Sequence, residues 1–268
     1  MIPFTSARAL LVGGLGGSGT RVFSELLESM GLIAPALVNR SLDDLIVSAM
    51  LSDSTVRTAA DAPKMTHFLT EFEAYRSGQP TEAQLDRWLL ALQRTEHPIL
   101  PKKRSELEAR FAQWSAASGI RFFKEPNLHL FFPELLRADT ELKALYVVRD
   151  GRYMAHSNNR NQLERWGDFF GLSERLEPDE AQFRLWAASG LRVQTLSRKF
   201  GAHRIRIVRL EDLLSNPKST AESLLEWLDA GLRLPEPWVF QPASVDGRSA
   251  PHPGKPEWEP ALQALGYF

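Results

Sequence analysis

Four short apolar runs stand out along the chain: Ala9 to Val12, Ile120 to Lys124, Leu142 to Val148 and Arg204 to Leu210. Each is bounded by glycine, proline or charge and is short enough to be a buried strand. Between them apolar residues recur at helical spacing. Val22, Phe23, Leu26, Leu27 and Met30 form one stripe that Gly31 ends. From Pro63 to Ala117 the pattern is helical, with Leu85, Trp88, Leu89 and Leu92 on one face and Leu107, Phe111 and Trp114 on another. Ser41 is placed to cap a short helix through Ala49, and Pro133 begins another. Further helices are expected from Pro178 to Phe200, and from Asn216-Pro217 to a stop at Gly231. The segment from Leu234 onward is rich in proline and reads as too polar for core, lying over the domain.

Strands alternating with helices predict an α/β fold, an open parallel sheet flanked by helices. The chain is expected to form one domain over residues 1–268, with a helical insertion at about 41–118 after the first helix and a Pro-rich tail over 234–268. Ligands of such sheets bind beyond the strand C-termini. The chemically able residues gather there: a glycine-rich loop after the first run, Lys124 after the second, Arg149 after the third, and Glu211-Asp212 after the fourth. Pro126 keeps Glu125 out of helical geometry, which leaves Lys124 at a strand end.

The loop has glycine at 13, 14, 16, 17 and 19 and opens directly into the first helix. Glycines let backbone N–H groups converge, and the helix dipole favours an anion there. A Walker A loop starting at Gly14 fails, because Thr20 and Arg21 stand where lysine and a hydroxyl residue belong. A dinucleotide fingerprint fits Gly14, Gly16 and Gly19, but Leu37-Val-Asn-Arg40 lies where a ribose-binding acid should end the second strand.

Composition narrows the chemistry. The formal net charge of −1 gives no global field toward nucleic acid or anionic membrane. No cysteine is present, so disulfides, thiol catalysis and cysteine zinc sites are excluded. The six histidines show no pair at helical ligand spacing, and no metal is expected. Without a signal-like or membrane-spanning run, the expected location is cytoplasmic.

Four patches then carry a resemblance: Gly16-Gly-Ser-Gly-Thr20, Phe123-Lys-Glu-Pro126, Val148-Arg-Asp-Gly-Arg152 through Ser157, and Val208-Arg-Leu-Glu-Asp-Leu213 with Asn216-Pro217. In this order they resemble the P-loop sulfotransferase superfamily, enzymes that use 3′-phosphoadenosine 5′-phosphosulfate (PAPS). The resemblance implies that Gly16, Gly17, Ser18, Gly19, Thr20 and Arg21 hold the 5′-phosphosulfate. It implies that Arg149 and Ser157 grip the 3′-phosphate, and that Lys124 approaches the bridging oxygen. The implied reaction moves a sulfuryl group to a hydroxyl of a small-molecule or glycan acceptor, with 3′,5′-adenosine bisphosphate as product and no metal.

Three positions depart from the family pattern. Gly17 replaces a basic residue, Gly151 a proline and Leu210 an aromatic residue. Asp43 and Asp44 are preferred over His129 and His156 as general base, because related enzymes often place a carboxylate soon after the first helix. Two alternatives stay open. A P-loop kinase or nucleotide hydrolase would use Asp150 for magnesium, and a catalytically impaired nucleotide-binding module would keep only the fold.

Overall fold

The four apolar runs form the strands β1 (Ala9–Gly14), β2 (Arg121–Lys124), β3 (Lys143–Val148) and β4 (Ile205–Arg209). They make one parallel sheet in the order β2-β1-β3-β4. The computed structural model describes residues 9–52, 62–94, 100–172, 176–229, 231–242 and 253–268.

Register aligns the strand ends. Val12 pairs with Lys124, Gly14 with Val147, and Val148 with Arg209. The residues that follow each strand therefore emerge along one edge of the sheet.

Helices follow in the order α1 (Thr20–Ser29), α2 (Leu45–Ser52), α3 (Ala62–Arg76), α4 (Glu82–Gln93), α5 (Arg104–Ala116) and α6 (Phe132–Ala138). After β3 come α7 (Gly151–Ala155), α8 (Asn161–Trp166) and α9 (Pro178–Phe200), and after β4 come α10 (Leu210–Ser215), α11 (Pro217–Leu228) and α12 (Glu259–Ala264). Period-two alternation in the strands divides the core between the two sheet faces. Leu10, Val12, Phe122, Leu145 and Val147 pack with α1 and α11. Leu11, Phe123, Ala144, Tyr146 and Val148 face α2 to α6 and α9. On that side Tyr75 stacks on Trp114, with ring centroids 5.1 Å apart, and meets Trp88, Phe111 and Phe123. The aromatic stripes of residues 85–114 are thus core, and α4 begins with a capping box between Thr81 and Gln84.

Two expectations are corrected. The helix expected to start after Ser41 starts at Leu45, and its cap is Asp44. Asp44 Oδ1 accepts from the N–H groups of Ile46 at 3.0 Å and Val47 at 3.2 Å. The C-terminal segment is also not excluded from the core. Trp258 is buried and stacks on Phe183 with centroids 4.2 Å apart, and Leu262, Leu265 and Tyr267 are buried beside it. Leu265 fills the space over Gly190 on α9, where a Cβ would stand 2.6 Å from its Cδ1.

The connection after α1 returns along the free edge of β2. Ile33 N–H donates to Ile120 O at 2.9 Å, Phe122 N–H to Ile33 O at 3.0 Å, and Asp44 N–H to Lys124 O at 2.6 Å. This return brings Asp43 beside Lys124.

Candidate functional site

Gly17 and Gly19 have φ of +95° and +96°, left-handed values that glycine adopts without strain. The turn is closed by Ser18 N–H donating to Leu15 O at 2.9 Å. Gly19 is the N-cap of α1 and has no side chain to cap it, so among the described residues no side-chain cap occupies that helix start. A Cβ on Gly19 would stand 2.7 Å from Leu210 Cδ1, and one on Gly16 would stand 2.5 Å from Asn159 Nδ2. Leu210 and the α7–α8 connection therefore lie directly on the loop. Gln162 braces it: Gly16 N–H donates to Gln162 Oε1, while Nε2 donates to Gly14 O at 3.3 Å and Asn127 Oδ1 at 3.0 Å.

Lys124 is 1% exposed. Its ammonium donates to Ser41 O at 2.7 Å and forms an ion pair with Asp43 Oδ1. Burial lowers its pKa, while Asp43 and Glu125 oppose that shift. Arg149 donates through Nη1 to Gly17 O at 3.4 Å, and its guanidinium lies 4.7 Å from the Tyr153 ring centroid. Its carbonyl accepts from Trp186 Nε1 at 2.8 Å. Ser157 Oγ is 3.5 Å from where a Gly17 Cβ would stand, so Arg149 and Ser157 meet at the same glycine. Arg21, in the first turn of α1, pairs with Glu25 at 3.3 Å and keeps 41% of its side chain exposed.

A cavity of about 360 Å³ opens at these strand ends. The loop glycines and Thr20 form one wall, and Lys124, Ser41, Asp43 and Pro126 another. Arg149, Asn159, Arg21 and Leu210 complete it. Among the described residues its charged lining is three cations, Arg21, Lys124 and Arg149, against the single carboxylate of Asp43. Ser18 and Ser157 are not among its lining residues, and the Ser18 hydroxyl is buried without a hydrogen bond. A more voluminous groove, about 570 Å³, runs between α11 and residues 231–238, away from the strand ends. Among the described residues no three His, Asp or Glu side chains converge as a metal site.

The other expected acid–base residues lie elsewhere. Asp44 is fully buried under α2; its Oδ2 lies beside Tyr75 with no hydrogen bond of ordinary geometry, and burial raises its pKa to about 8. His129 is buried against Gly13 and Tyr146, with Nδ1 2.7 Å from Pro126 O. Burial lowers its pKa to about 4. His156 meets Asp179 at 2.9 Å on α9. Asp150 accepts from Arg152 N–H at 2.8 Å and ion-pairs with its guanidinium at 2.7 Å. Glu211 accepts from Asp150 N–H at 2.9 Å and from the Tyr267 hydroxyl at 3.0 Å. In the C-terminal segment Lys255 reaches Glu180 at 3.5 Å, and Arg248 lies outside the described residues.

The family model described as "Sulfotransferase family" matches residues 9–234. No curated protein matches this chain in sequence. Among solved structures the chain is similar to a sulfotransferase domain from the curacin biosynthetic pathway, at 15% identity over 99% of each chain with a TM-score of 0.57. It is also similar to the sulfotransferase domain of the Synechococcus PCC 7002 olefin synthase, at 15% identity over 98% of this chain and 95% of that one, with a TM-score of 0.51. At these identities the likeness concerns the fold.

Proposed function

The chain belongs to the sulfotransferase family, and we propose that it transfers a sulfuryl group from PAPS to an acceptor hydroxyl in the cavity at the strand ends. One observation carries the reading: the glycine loop, Lys124, Arg149 and Asp43 line a single cavity. A polyanionic nucleotide fits that lining, which combines left-handed glycines, an uncapped helix start and a threefold excess of cations over carboxylates. Its volume is in the range of small-molecule sites.

When bound, PAPS supplies the sulfuryl group, and 3′,5′-adenosine bisphosphate leaves. The N–H groups from Gly17 to Thr20 would hold the 5′-phosphate, with Arg21 supplying the cation that Gly17 lacks. Arg149 would take the 3′-phosphate, with Ser157 beside it. Lys124 would carry positive charge to the oxygen that gains electrons as its bond to sulfur breaks. Asp43, rather than Asp44, would accept the acceptor hydroxyl's proton as the new oxygen–sulfur bond forms, because only Asp43 lines the cavity. The acceptor is a small molecule or glycan bearing a hydroxyl.

The phosphoryl-transfer alternative would need Asp150 free for a cation. Its carboxylate is instead spent on the α7 cap and on Arg152.

Thermal shift with 3′,5′-adenosine bisphosphate in EDTA, beside Mg-ATP, tests the nucleotide. Stabilisation by the bisphosphate without metal is expected, followed by turnover of radiolabelled PAPS against an acceptor panel. Stabilisation by Mg-ATP alone, abolished by EDTA, would remove the reading.

A further inference from the structure

Residues 39–43 are built around one side chain that the chemistry above does not use. Asn39 Oδ1 accepts from the backbone N–H groups of Ser41 at 2.8 Å and Asp43 at 2.9 Å. Its own N–H donates to Asp43 O at 3.1 Å, and its carbonyl accepts from Leu42 N–H at 3.0 Å. Its Nδ2 donates to Asp43 Oδ2 at 2.9 Å. Leu42 is held at φ +57°, a left-handed conformation that is strained for a residue with a Cβ. The turn is fixed at its base by Leu45 N–H to Leu37 O at 2.9 Å and Asp44 N–H to Lys124 O at 2.6 Å.

Both acceptors of the Lys124 ammonium, Ser41 O and Asp43 Oδ1, belong to this turn. Asp43 is therefore held from two sides, by Lys124 on one oxygen and the Asn39 carboxamide on the other. The charged groups around the pair are the Glu125 carboxyl, which repels Asp43, and Arg21, which repels Lys124. Arg149 lies across the same cavity. Against these, a neutral donor on Oδ2 fixes the orientation of the carboxylate without competing for the lysine.

We propose that Asn39 is a positioning residue for proton transfer, aiming the Asp43 carboxylate and, through the same turn, holding Lys124. The inference rests on the reading of Asp43 as the base.

Asn39→Asp tests it, because this near-isosteric change keeps the turn-forming acceptor and sets a carboxylate oxygen against Asp43 Oδ2. Two carboxylates so close share a proton. The acid limb of the kcat/KM profile should rise by about one pH unit or more, with most of kcat regained at high pH and affinity for 3′,5′-adenosine bisphosphate within about threefold of wild type. Asn39→Ser, which keeps a turn acceptor but is too short to reach Oδ2, should lose on the order of tenfold or more in kcat with KM for PAPS unchanged. Should Asn39→Asp not fold, Asn39→Ser decides the matter. An unmoved acid limb in Asn39→Asp, or wild-type kcat in Asn39→Ser, overturns the proposal. Asp43→Asn separates the two levels. If it turns over normally, the base assignment fails and takes this inference with it. If it is inactive while the Asn39 variants keep the wild-type profile and rate, only the positioning role is lost.

Discussion

Trp186 lies against Gly151, so closely that a Cβ there would stand 2.6 Å from two of its ring atoms, and its indole N–H donates to the Arg149 carbonyl at 2.8 Å. The position opens α7, where proline suits the backbone, so the ring is what requires glycine. Gly151→Pro should destabilise by about 1–3 kcal/mol through overpacking. It should also weaken binding of 3′,5′-adenosine bisphosphate by shifting Arg149. Combining it with Trp186→Ala should cost less than the sum of the two single changes. Melting curves and titrations of the four proteins check this, and full additivity would separate ring and glycine.

Arg149 tests the two-ended grip on the nucleotide. Arg149→Ala should weaken 3′,5′-adenosine bisphosphate by about 1.5–3 kcal/mol, the usual worth of a charged hydrogen bond. A nucleotide without the 3′-phosphate should lose far less. Calorimetry on both ligands decides, and equal losses would make Arg149 a support for the loop through its bond to Gly17 O.

Lys124 is buried in contact with two acceptors. Lys124→Met keeps most of the stem and removes the charge. If that charge serves the transition state, kcat should fall on the order of 10²–10³-fold while affinity for the product nucleotide changes little. Parallel losses in both quantities would assign Lys124 to ground-state binding.

Asp44 predicts how stability depends on pH. Its folded pKa is raised by burial from 3.8 to about 8, so between those values the folded state holds a proton that the unfolded state has lost. Its contribution to stability therefore falls as pH rises through that window and levels off above it. Asp44→Asn keeps an acceptor for the N–H groups of Ile46 and Val47 but does not titrate. Its stability relative to wild type should improve from pH 5 to pH 8 by on the order of 1–3 kcal/mol. Denaturant melts at several pH values test this, and a constant difference would refute it.

The sheet could be read from sequence because each strand is a bounded apolar run and each strand end carries a break in polarity, as at Val148-Arg149. Lys124 was visible for the same reason. Asp43 and Asp44 are not separable in sequence, since only the folded turn sends one carboxylate into the cavity and the other beneath α2. Asn39, Asn159 and Gln162 carry no local signal. Their importance arises when the chain after α1 returns along β2 and when α8 folds over the loop. Trp258 and Leu262 were hidden among prolines, although their burial follows once α9 offers Phe183 and Gly190 as a surface.

The strand order has a temporal side. β1 lies between β2 and β3, and its residue Leu11 pairs with Phe123 and Ala144, both more than a hundred residues downstream. The glycine loop is therefore synthesised before either neighbour of its strand exists. Until both arrive, β1 has two unpaired edges and an apolar surface to shield. Closing such distant pairings is entropically slow, so the glycine loop, the simplest part to recognise in the sequence, belongs to the part of the sheet that can be completed only after β3 has emerged.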